Sequence, residues 1–337
     1  MKAAVIGGSG YLGAELLRLI AGHPGLDLAA VQADSSAGSA VADRYPGLAP
    51  AYAGVEFEEI DPDAVAGVDV AFVAVPSGRS LALVPRLVGR VGCVVDLGAD
   101  FRLKDASAYP TWYGFEHTAP GLLAEAVYGL PERYRAQLAS ARLIASPGCY
   151  VTAAALALAP LVDAGAVEPA GVVVDAASGT SGAGAVPSSA THHSRINESF
   201  DAYGLLTHRH TPEIEQVTGA QVLFTPHHAP MTRGILASCY ARAASPTSTE
   251  EVLGLLEAAY AAEPFVHVVA EPVATRETYA ANTARITARH DPRTGITLVL
   301  CAIDNITKGG SGQAVQAANV ALGLAETAGL SAVAVTP

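Results

Sequence analysis

A glycine-rich turn near the start of the chain is the feature that most limits how it can fold. The apolar residues 2–6 have the pattern of a short strand, and residues 14–20 have that of an amphipathic helix. Between them lies Gly7-Gly8-Ser9-Gly10-Tyr11-Leu12-Gly13, with glycines at 8, 10 and 13 in the spacing G-x-G-x-x-G. This order predicts the start of a doubly wound sheet, in which the turn lets a dinucleotide pyrophosphate approach the helix N-terminus.

The apolar runs that follow predict the rest of a parallel sheet. Strands are expected at residues 28–32, 68–75, 91–97 and 143–145. The loops after these strands would lie at the carboxyl edge of the sheet, where ligands of such folds bind. The candidate cofactor contacts there are Gly7, Gly8, Ser9, Gly10, Tyr11, Leu12, Gly13, Ser35, Ser36, Pro76 and Ser77.

The loop after the second strand leaves the choice of nicotinamide cofactor open. Asp34 would accept hydrogen bonds from a free ribose 2′-hydroxyl and so favour NAD. Ser35 and Ser36 would instead donate hydrogen bonds to the 2′-phosphate of NADP, although the loop itself contains no arginine.

One of the four cysteines differs from the others in its surroundings. Cys93, Cys239 and Cys301 lie in apolar, strand-like runs, which is the usual setting of buried, unreactive thiols. Cys149 instead follows a Pro-Gly turn and precedes the helix predicted over residues 151–158. A helix N-terminus favours the thiolate, and the strand before the turn would bring Cys149 to the carboxyl edge, beside a bound nicotinamide. Cys149 is therefore a candidate nucleophile, and a small buried packing residue is the alternative.

The second half of the chain predicts a different architecture. Strands expected at residues 172–176, 235–242, 265–270, 283–289 and 296–303, with a helix over 249–262, suggest an antiparallel sheet with helices on one face. A last helix over 314–322 is almost entirely small and apolar, so we expect it to be buried against the first domain. The predicted domains are an NAD(P)-binding Rossmann domain over residues 1–148, completed by a helix over 312–326, and an α+β catalytic, substrate and dimerisation domain over 149–308.

A polar cluster, His208-Arg209-His210, stands directly before a helix that starts at Pro212-Glu213. Metal binding is one interpretation, but alternate residues of an extended segment point in opposite directions, and no cysteine or acid lies at ligand spacing. An acid–base histidine beside an anion-binding group fits better, so no metal is expected. Glu213 is a candidate for orienting His210. The pairs His192-His193 and His227-His228 are interpreted as surface or loop residues.

A second loop rich in glycine and serine, over residues 178–184, follows the strand at 172–176. It has no P-loop lysine, which excludes a nucleoside-triphosphate site of that kind. Its hydroxyls and free backbone amides suit an anion cradle, and a flexible surface loop is the alternative.

Charge and hydropathy exclude some partners. The 337-residue chain has a net charge of −12, which argues against nucleic acid. It contains no uninterrupted apolar run of the ~18 residues that a membrane helix needs. Since no signal peptide precedes the first strand, we expect a cytoplasmic protein without membrane or nucleic-acid partners.

Together these motifs resemble the N-acetyl-gamma-glutamyl-phosphate reductases, which are relatives of the aspartate-semialdehyde dehydrogenases. The matching motifs span nearly the whole chain: residues 7–13, 99–103, 127–132, 147–150, 178–184, 208–214, 231–234, 304–305 and 308–309. The resemblance implies that Cys149 is the nucleophile and His210 the acid–base residue. It also implies NADP as the usual cofactor, with NAD not excluded, and a role in arginine biosynthesis.

The remaining expected ligand contacts follow from these motifs. Further cofactor contacts are expected at Ser178, Gly179, Gly182 and Asn305. Arg102, His208 and Arg233 are the candidates for the phosphate or carboxylate of a small-molecule substrate, because cationic donors suit such groups. The strand-rich second domain offers a surface for a homodimer or homotetramer.

Three residues depart from the family pattern without removing the nucleophile or the base. Ser146 stands where asparagine is usual, Val151 where proline is usual, and Ala185 where arginine is frequent. The predicted reaction is the NADPH-dependent reduction of N-acetyl-L-glutamyl 5-phosphate to the 5-semialdehyde through a thioacyl intermediate on Cys149. One alternative is the same chemistry on aminoadipyl or aspartyl phosphate. The other is a non-catalytic, NAD(P)-sensing protein, which needs no activated thiol.

Overall fold

The computed structural model describes residues 1–189 and 191–336, which divide into two compact units. Unit one consists of Met1–Pro147 and Gly310–Leu330. Unit two consists of Gly148–Gly309 together with the residues from Ser331 onward.

Strands and helices alternate in unit one, whereas strands dominate unit two. The strands are β1 Lys2–Ile6, β2 Asp27–Gln32, β3 Val70–Val73, β4 Cys93–Asp96, β5 Val127–Tyr128, β6 Leu143–Ala145, β7 Val172–Ser178, β8 Asp201–Ala202, β9 Val222–His228, β10 Ile235–Arg242, β11 Val266–Val268, β12 Ala284–Asp291 and β13 Ile296–Ile303. The helices are α1 Tyr11–Ala21, α2 Val41–Arg44, α3 Ala49–Tyr52, α4 Ser80–Leu87, α5 Tyr109–Tyr113, α6 Pro120–Glu125, α7 Pro131–Leu138, α8 Cys149–Asp163, α9 His193–Ile196, α10 Thr211–Thr218, α11 Thr249–Tyr260 and α12 Gly312–Ala321.

The sheet of unit one is parallel, with the strand order β2-β1-β3-β4-β6-β5. Every residue of β3 and β4 is buried, as expected for strands covered on both faces. One hydrophobic cluster contains Leu16 and Leu17 of α1, and a second cluster contains Val84 and Leu87 of α4. This confirms the Rossmann-type sheet that the sequence predicts.

The last helix, α12, belongs to this same unit, as predicted. Ala314, Val315, Ala317 and Ala318 are buried in the cluster that contains Leu16 and Leu17. Just before the helix, the Ser311 hydroxyl donates a hydrogen bond to the carbonyl of Leu12, at 2.8 Å. Small side chains on α12 thus allow this helix to complete the core of unit one.

The sheet of unit two is mixed, and the prediction of an antiparallel sheet is wrong in two places. Its strand order is β11-β12-β13-β10-β7-β9-β8, and the pairs β7–β9 and β11–β12 are parallel. A parallel pair needs a crossover rather than a hairpin. The connections between these strands are long enough for one, since the first contains α9 and α10 and the second spans residues 269–283.

One face of this sheet is covered by helices, as the sequence predicts. Buried and half-buried residues alternate along β7, while α8 is buried along almost its whole length and packs on β10 and β13. In the part of the chain that the structure describes, no helix combines the length and apolar character needed to cross a membrane.

Candidate active site

Cys149 is the first residue of α8 and follows Gly148, which has an extended backbone conformation. Its side chain is partly exposed, whereas the other three cysteines are buried. Burial raises the pKa of the Cys93 and Cys301 thiols to about 12 and also raises that of Cys239. Those three thiols therefore stay protonated at neutral pH, and only Cys149 combines access with a helix N-terminus.

The imidazole of His210 lies directly against the backbone of Gly148. A Cβ atom added to Gly148 would come within 2.7 Å of His210 Cε1 and 2.8 Å of its Cδ2. Gly309 packs in a similar way against Cys149, where an added Cβ would lie 2.9 Å from the cysteine Cβ. Because Gly148 has no side chain, the ring of the base candidate can lie against the residue that directly precedes the nucleophile candidate.

Glu213 connects the helix after His210 to the turn before Cys149. Its carboxylate is fully buried, and Oε1 accepts a hydrogen bond from the amide of Gly148 at 2.9 Å. Because α10 begins directly after His210, this bond positions the turn that carries Cys149 relative to the histidine.

His208 has the surroundings of a neutral histidine. Its Nδ1 accepts a hydrogen bond from the amide of His210 at 3.1 Å, and its ring packs edge-on against Tyr150 and Phe224. Burial, assisted by the charge of Arg209, lowers the pKa of His208 to about 4. The ring is therefore uncharged at neutral pH, which argues against the anion contact that the sequence suggests and for a role in holding the His210 backbone.

Aromatic side chains surround these histidines. The Tyr203 hydroxyl donates a hydrogen bond to that of Tyr150 at 3.1 Å, and the Tyr150 hydroxyl donates to the carbonyl of His227 at 3.2 Å. Burial raises the pKa of Tyr150 and raises that of Tyr203 to about 12. Both phenols therefore remain protonated and act as hydrogen-bonding groups beside Cys149.

The interpretation of His227 and His228 as surface or loop residues is wrong. Both end strand β9, are partly buried, and pair with β7 and β8. The His228 ring stacks on Tyr203 with 3.9 Å between the centroids, and the His227 ring stacks on Phe200. By contrast, His192 and His193 are exposed at the start of α9.

A turn that contains Asp304 binds the candidate substrate contact Arg233. Asp304 is fully buried, and its Oδ1 accepts hydrogen bonds from the amides of Ile306 and Thr307. Its Oδ2 accepts a hydrogen bond from the amide of Ala280 at 2.7 Å and lies 3.4 Å from Arg233 Nη1. The guanidinium is thus positioned by a buried carboxylate while 20% of the side chain remains exposed.

The structure brings together the four candidate cofactor contacts of unit two. Asn305 Oδ1 accepts a hydrogen bond from the amide of Gly234 at 2.7 Å, and its Nδ2 donates to the Ser181 hydroxyl at 3.0 Å. An added Cβ at Gly182 would lie 3.2 Å from the hydroxyl of Ser178 and 3.5 Å from Asn305 Nδ2.

The loop over residues 178–184 is neither a cradle of free amides nor an unattached surface loop. The amides of Gly179, Thr180 and Ser181 donate to the carbonyls of Gly234, Met231 and Thr232, respectively. An added Cβ at Gly179 would come within 2.6 Å of the Thr232 carbonyl oxygen, so the two turns are closely packed. The sequence could not show this pairing, because the partner turn lies about fifty residues later along the chain.

Arg102, the third candidate substrate contact, lies in unit one and is buried. Its Nη2 donates a hydrogen bond to the carbonyl of Leu97 at 2.9 Å. Beside it, burial raises the pKa of Asp96 to about 7, and the amide of Ser146 donates to the Asp96 carbonyl. Among the described residues, the Ser146 hydroxyl and Asp96 Oδ2 have no hydrogen-bond partner.

The glycine turn of unit one has the geometry of a pyrophosphate cradle. Gly7 has a φ of +89°, a conformation that favours glycine, and an added Cβ at Gly13 would lie 2.6 Å from Gly8 Cα. Helix α1 has no side-chain hydrogen bond at its N-cap, Gly10, and no acid in its first turn. A close backbone approach and an uncapped helix N-terminus suit the phosphates of a dinucleotide.

Three side chains not predicted from the sequence pattern lie around the glycine turn. The Tyr45 hydroxyl and Arg44 Nε both donate hydrogen bonds to the Ser9 carbonyl, at 2.6 and 2.8 Å. Arg79 Nη1 bonds Asp34 Oδ2 at 2.5 Å. The sequence contains one indication of Arg79, because this residue directly follows Pro76-Ser77-Gly78, the loop expected at the carboxyl edge of the sheet. Of the remaining candidates, Ser35 and Pro76 are exposed, Ser77 is half-buried and Ser36 is buried.

The structure also bears on metal binding. In residues 1–189 and 191–336, no group of three or more histidine, cysteine, aspartate or glutamate side chains is placed to hold a metal ion.

Two family models match the chain. Residues 2–141 match the NAD binding domain of the semialdehyde dehydrogenases, and residues 149–305 match their dimerisation domain. The fold agrees with this result. An aspartate semialdehyde dehydrogenase II from Vibrio cholerae has a TM-score of 0.70 at 16% identity, covering 95% of this chain and 97% of that one. The enzyme from Candida albicans, solved with NADP, has a TM-score of 0.68 at 16% identity, covering 95% and 99%.

Closer relatives identify the family. The N-acetyl-gamma-glutamyl-phosphate reductase of Symbiobacterium thermophilum is 46% identical, over 98% of this chain and 97% of that protein. The enzyme of the same name from Alkalilimnicola ehrlichii is 46% identical over the whole of both chains. Similarity of this extent over the full length of both proteins confirms the resemblance found in the sequence. The chain belongs to the N-acetyl-gamma-glutamyl-phosphate reductase family.

Proposed function

We propose that this protein reduces N-acetyl-L-glutamyl 5-phosphate to N-acetyl-L-glutamate 5-semialdehyde with NADPH, releasing phosphate, as a step of arginine biosynthesis. The observation that carries this proposal is the arrangement of Cys149 and His210 around Gly148. A thiol at a helix N-terminus and an imidazole against the preceding residue are the two groups that acyl-phosphate reduction requires.

Cys149 opens the reaction. Its thiolate attacks the acyl carbon of the substrate, the carbon–oxygen bond to phosphate breaks, and a thioester forms on the sulfur. The N-terminus of α8 favours the thiolate before the attack and offers backbone amides to the oxyanion that develops. The amide of Gly148 is not among these donors, because it is bonded to Glu213.

His210 serves as the acid–base residue of the second stage. NADPH, when bound, would supply the hydride that reduces the thioester carbon. His210 donates a proton to the resulting oxyanion, giving a thiohemiacetal on Cys149. It then removes that proton as the carbon–sulfur bond breaks, so that the aldehyde leaves and the thiolate is regenerated.

The remaining proposed roles are cofactor binding and substrate binding. Residues Gly7 to Gly13, Ser35, Ser36, Pro76 and Ser77 are the proposed contacts for NADP, and Ser178, Gly179, Gly182 and Asn305 are proposed as further cofactor contacts. Arg233, positioned by Asp304, is the substrate-anion contact that its geometry favours. Arg102 and His208 are the weaker candidates. The Arg102 guanidinium is buried, and the His208 ring is neutral at neutral pH. The dimerisation domain supports a homodimer or homotetramer.

The substrate is tested by running the reaction in reverse. The protein is supplied with NADP, phosphate and one of three semialdehydes, those of N-acetylglutamate, aminoadipate or aspartate, and the appearance of NADPH is followed. The proposal predicts the highest kcat/KM for N-acetylglutamate semialdehyde. A preference for either other aldehyde would reassign the substrate. Tight NADP binding without turnover of any aldehyde would favour the sensing alternative.

A further inference from the structure

Asp34 and Arg79 form an ion pair at the carboxyl edge of the sheet in unit one. Arg79 Nη1 lies 2.5 Å from Asp34 Oδ2, and the two side chains are 51% and 66% exposed. Asp34 follows β2 and Arg79 follows β3, and these strands lie on opposite sides of β1. The pair therefore crosses the edge of the sheet where the glycine turn leaves β1.

NAD and NADP differ at the 2′-position of the adenosine ribose, which Rossmann-type domains bind at this edge of the sheet. In a Rossmann-type domain, an acidic residue after the second strand accepts hydrogen bonds from the adenosine ribose, and a nearby arginine accommodates the 2′-phosphate of NADP. Asp34 alone would favour the free hydroxyl and repel a phosphate. The guanidinium of Arg79 offsets that charge, and its bond to Asp34 uses only one of its several N–H donors.

We propose that Arg79 selects NADP by binding the 2′-phosphate, and that Asp34 holds the guanidinium in place when no cofactor is bound. A phosphate group carries more charge than a carboxylate and offers three acceptor oxygens, so it competes well for the guanidinium. The exposed Ser35 hydroxyl beside Asp34 is available as a second donor. This inference deepens the proposed function and depends on its NADP site.

Three other arginines of unit one are engaged elsewhere. Arg44 Nε donates to the Ser9 carbonyl, which makes Arg44 part of the support of the glycine turn. Arg86 lies 3.0 Å from Asp63, and Arg90 also pairs with Asp63. Arg86 is 50% exposed, close to the value for Arg79, and is likewise ion-paired. It provides the matched control.

The test uses two probes that differ only by the 2′-phosphate. The full-length protein and its variants are titrated with 2′,5′-ADP and with 5′-ADP by isothermal calorimetry, after thermal melts have shown that the variants fold. Arg79→Gln is expected to weaken 2′,5′-ADP by about tenfold or more and to leave 5′-ADP within about twofold. Arg86→Gln should change neither. Asp34→Asn should tighten 2′,5′-ADP, because a competing negative charge is removed.

The possible failures have different meanings. An equal loss for both probes in Arg79→Gln, or no loss for either, overturns the inference while leaving the proposed reaction intact. The inference is also overturned if Arg44→Gln selectively weakens 2′,5′-ADP binding and Arg79→Gln does not. If the wild-type protein binds neither probe, the NADP site of the proposed function is itself wrong.

Discussion

The amide of Gly148 donates a 2.9 Å hydrogen bond to the buried carboxylate of Glu213. Gly148 directly precedes Cys149, and Glu213 lies in the first turn of the helix that starts after His210. One buried bond therefore connects the segments that carry the proposed nucleophile and the proposed base. Positioning of this kind matters because small displacements of reacting groups cost large factors in rate.

Glu213→Ala is expected to lower kcat by at least about tenfold, since the Cys149 turn loses its anchor. The buried Gly148 amide left without an acceptor should also cost about 1–3 kcal/mol of unfolding free energy. Glu213→Gln retains an acceptor oxygen and should restore most of the kcat. Steady-state kinetics and urea unfolding measure both effects.

Glu215→Ala is the matched control for this prediction. Glu215 lies on the same helix and accepts a hydrogen bond from the amide of Val222 at 3.0 Å, outside the Cys149 turn. Its loss should reduce stability without lowering kcat. Equal losses of kcat in the two alanine variants would show that Glu213 has no special positioning role.

Gly148→Ala tests the close approach of the His210 ring. The new methyl group would overlap the imidazole, so His210 must move, and we expect kcat to fall by about a hundredfold. Gly254→Ala is the control, because an added Cβ at Gly254 meets nothing within 4 Å. A Gly148→Ala enzyme with a normal kcat and a normal pH–rate profile would remove His210 from the proposed mechanism.

His208 should make the stability of the protein depend on pH in a defined direction. Its pKa is lowered from 6.5 to about 4 in the folded state, so protonation favours unfolding. The stabilisation is complete above pH 6.5 and is lost as the pH falls towards 4. Near pH 5 the loss should amount to about 2 kcal/mol.

His208→Asn removes this titration while retaining an acceptor for the His210 amide. Urea unfolding of both proteins at about pH 7.5 and about pH 5 gives the comparison. The wild-type protein should lose more stability than the variant on acidification. Equal losses would mean that the His208 ring is already charged or exposed in the folded protein.

Cys149 should be alkylated faster than the other three cysteines. With limiting iodoacetamide at neutral pH, the native protein should be labelled at Cys149 first, since burial raises the pKa of the other three thiols. Peptide mapping identifies the modified residue, and Cys149→Ser should remain unlabelled until it is denatured. Labelling of Cys93 at a comparable rate would contradict this assignment.

The sequence predicted those parts of the site whose residues are close together along the chain. The glycine turn and the helix start at Cys149 are examples, since strand, turn and helix signals follow one another within about fifteen residues. The prediction that His227 and His228 lie in a surface loop is wrong because a proline and two polar rings are not typical of a strand. Pairing with β7 and β8 stabilises this end of β9.

Contacts between distant segments were not predictable in this way. The bond between Asp34 and Arg79 joins loops that follow different strands. The bond between Glu213 and Gly148 joins α10 to the turn before α8, 65 residues earlier in the chain. Both bonds depend on which strands are neighbours and on their register, which local periodicity does not determine. The parallel pairs in the sheet of unit two escaped prediction for the same reason.

The central claim, a thioester on Cys149, is tested most directly by omitting phosphate from the reverse reaction. With NADP and N-acetylglutamate semialdehyde alone, the enzyme should form one equivalent of NADPH per active site and then stop, because no phosphate is present to release the acyl group. Mass spectrometry should locate that acyl group on Cys149, and added phosphate should restore turnover. Continued NADPH formation without phosphate and without an acylated Cys149, or a full burst in Cys149→Ala, would contradict the account.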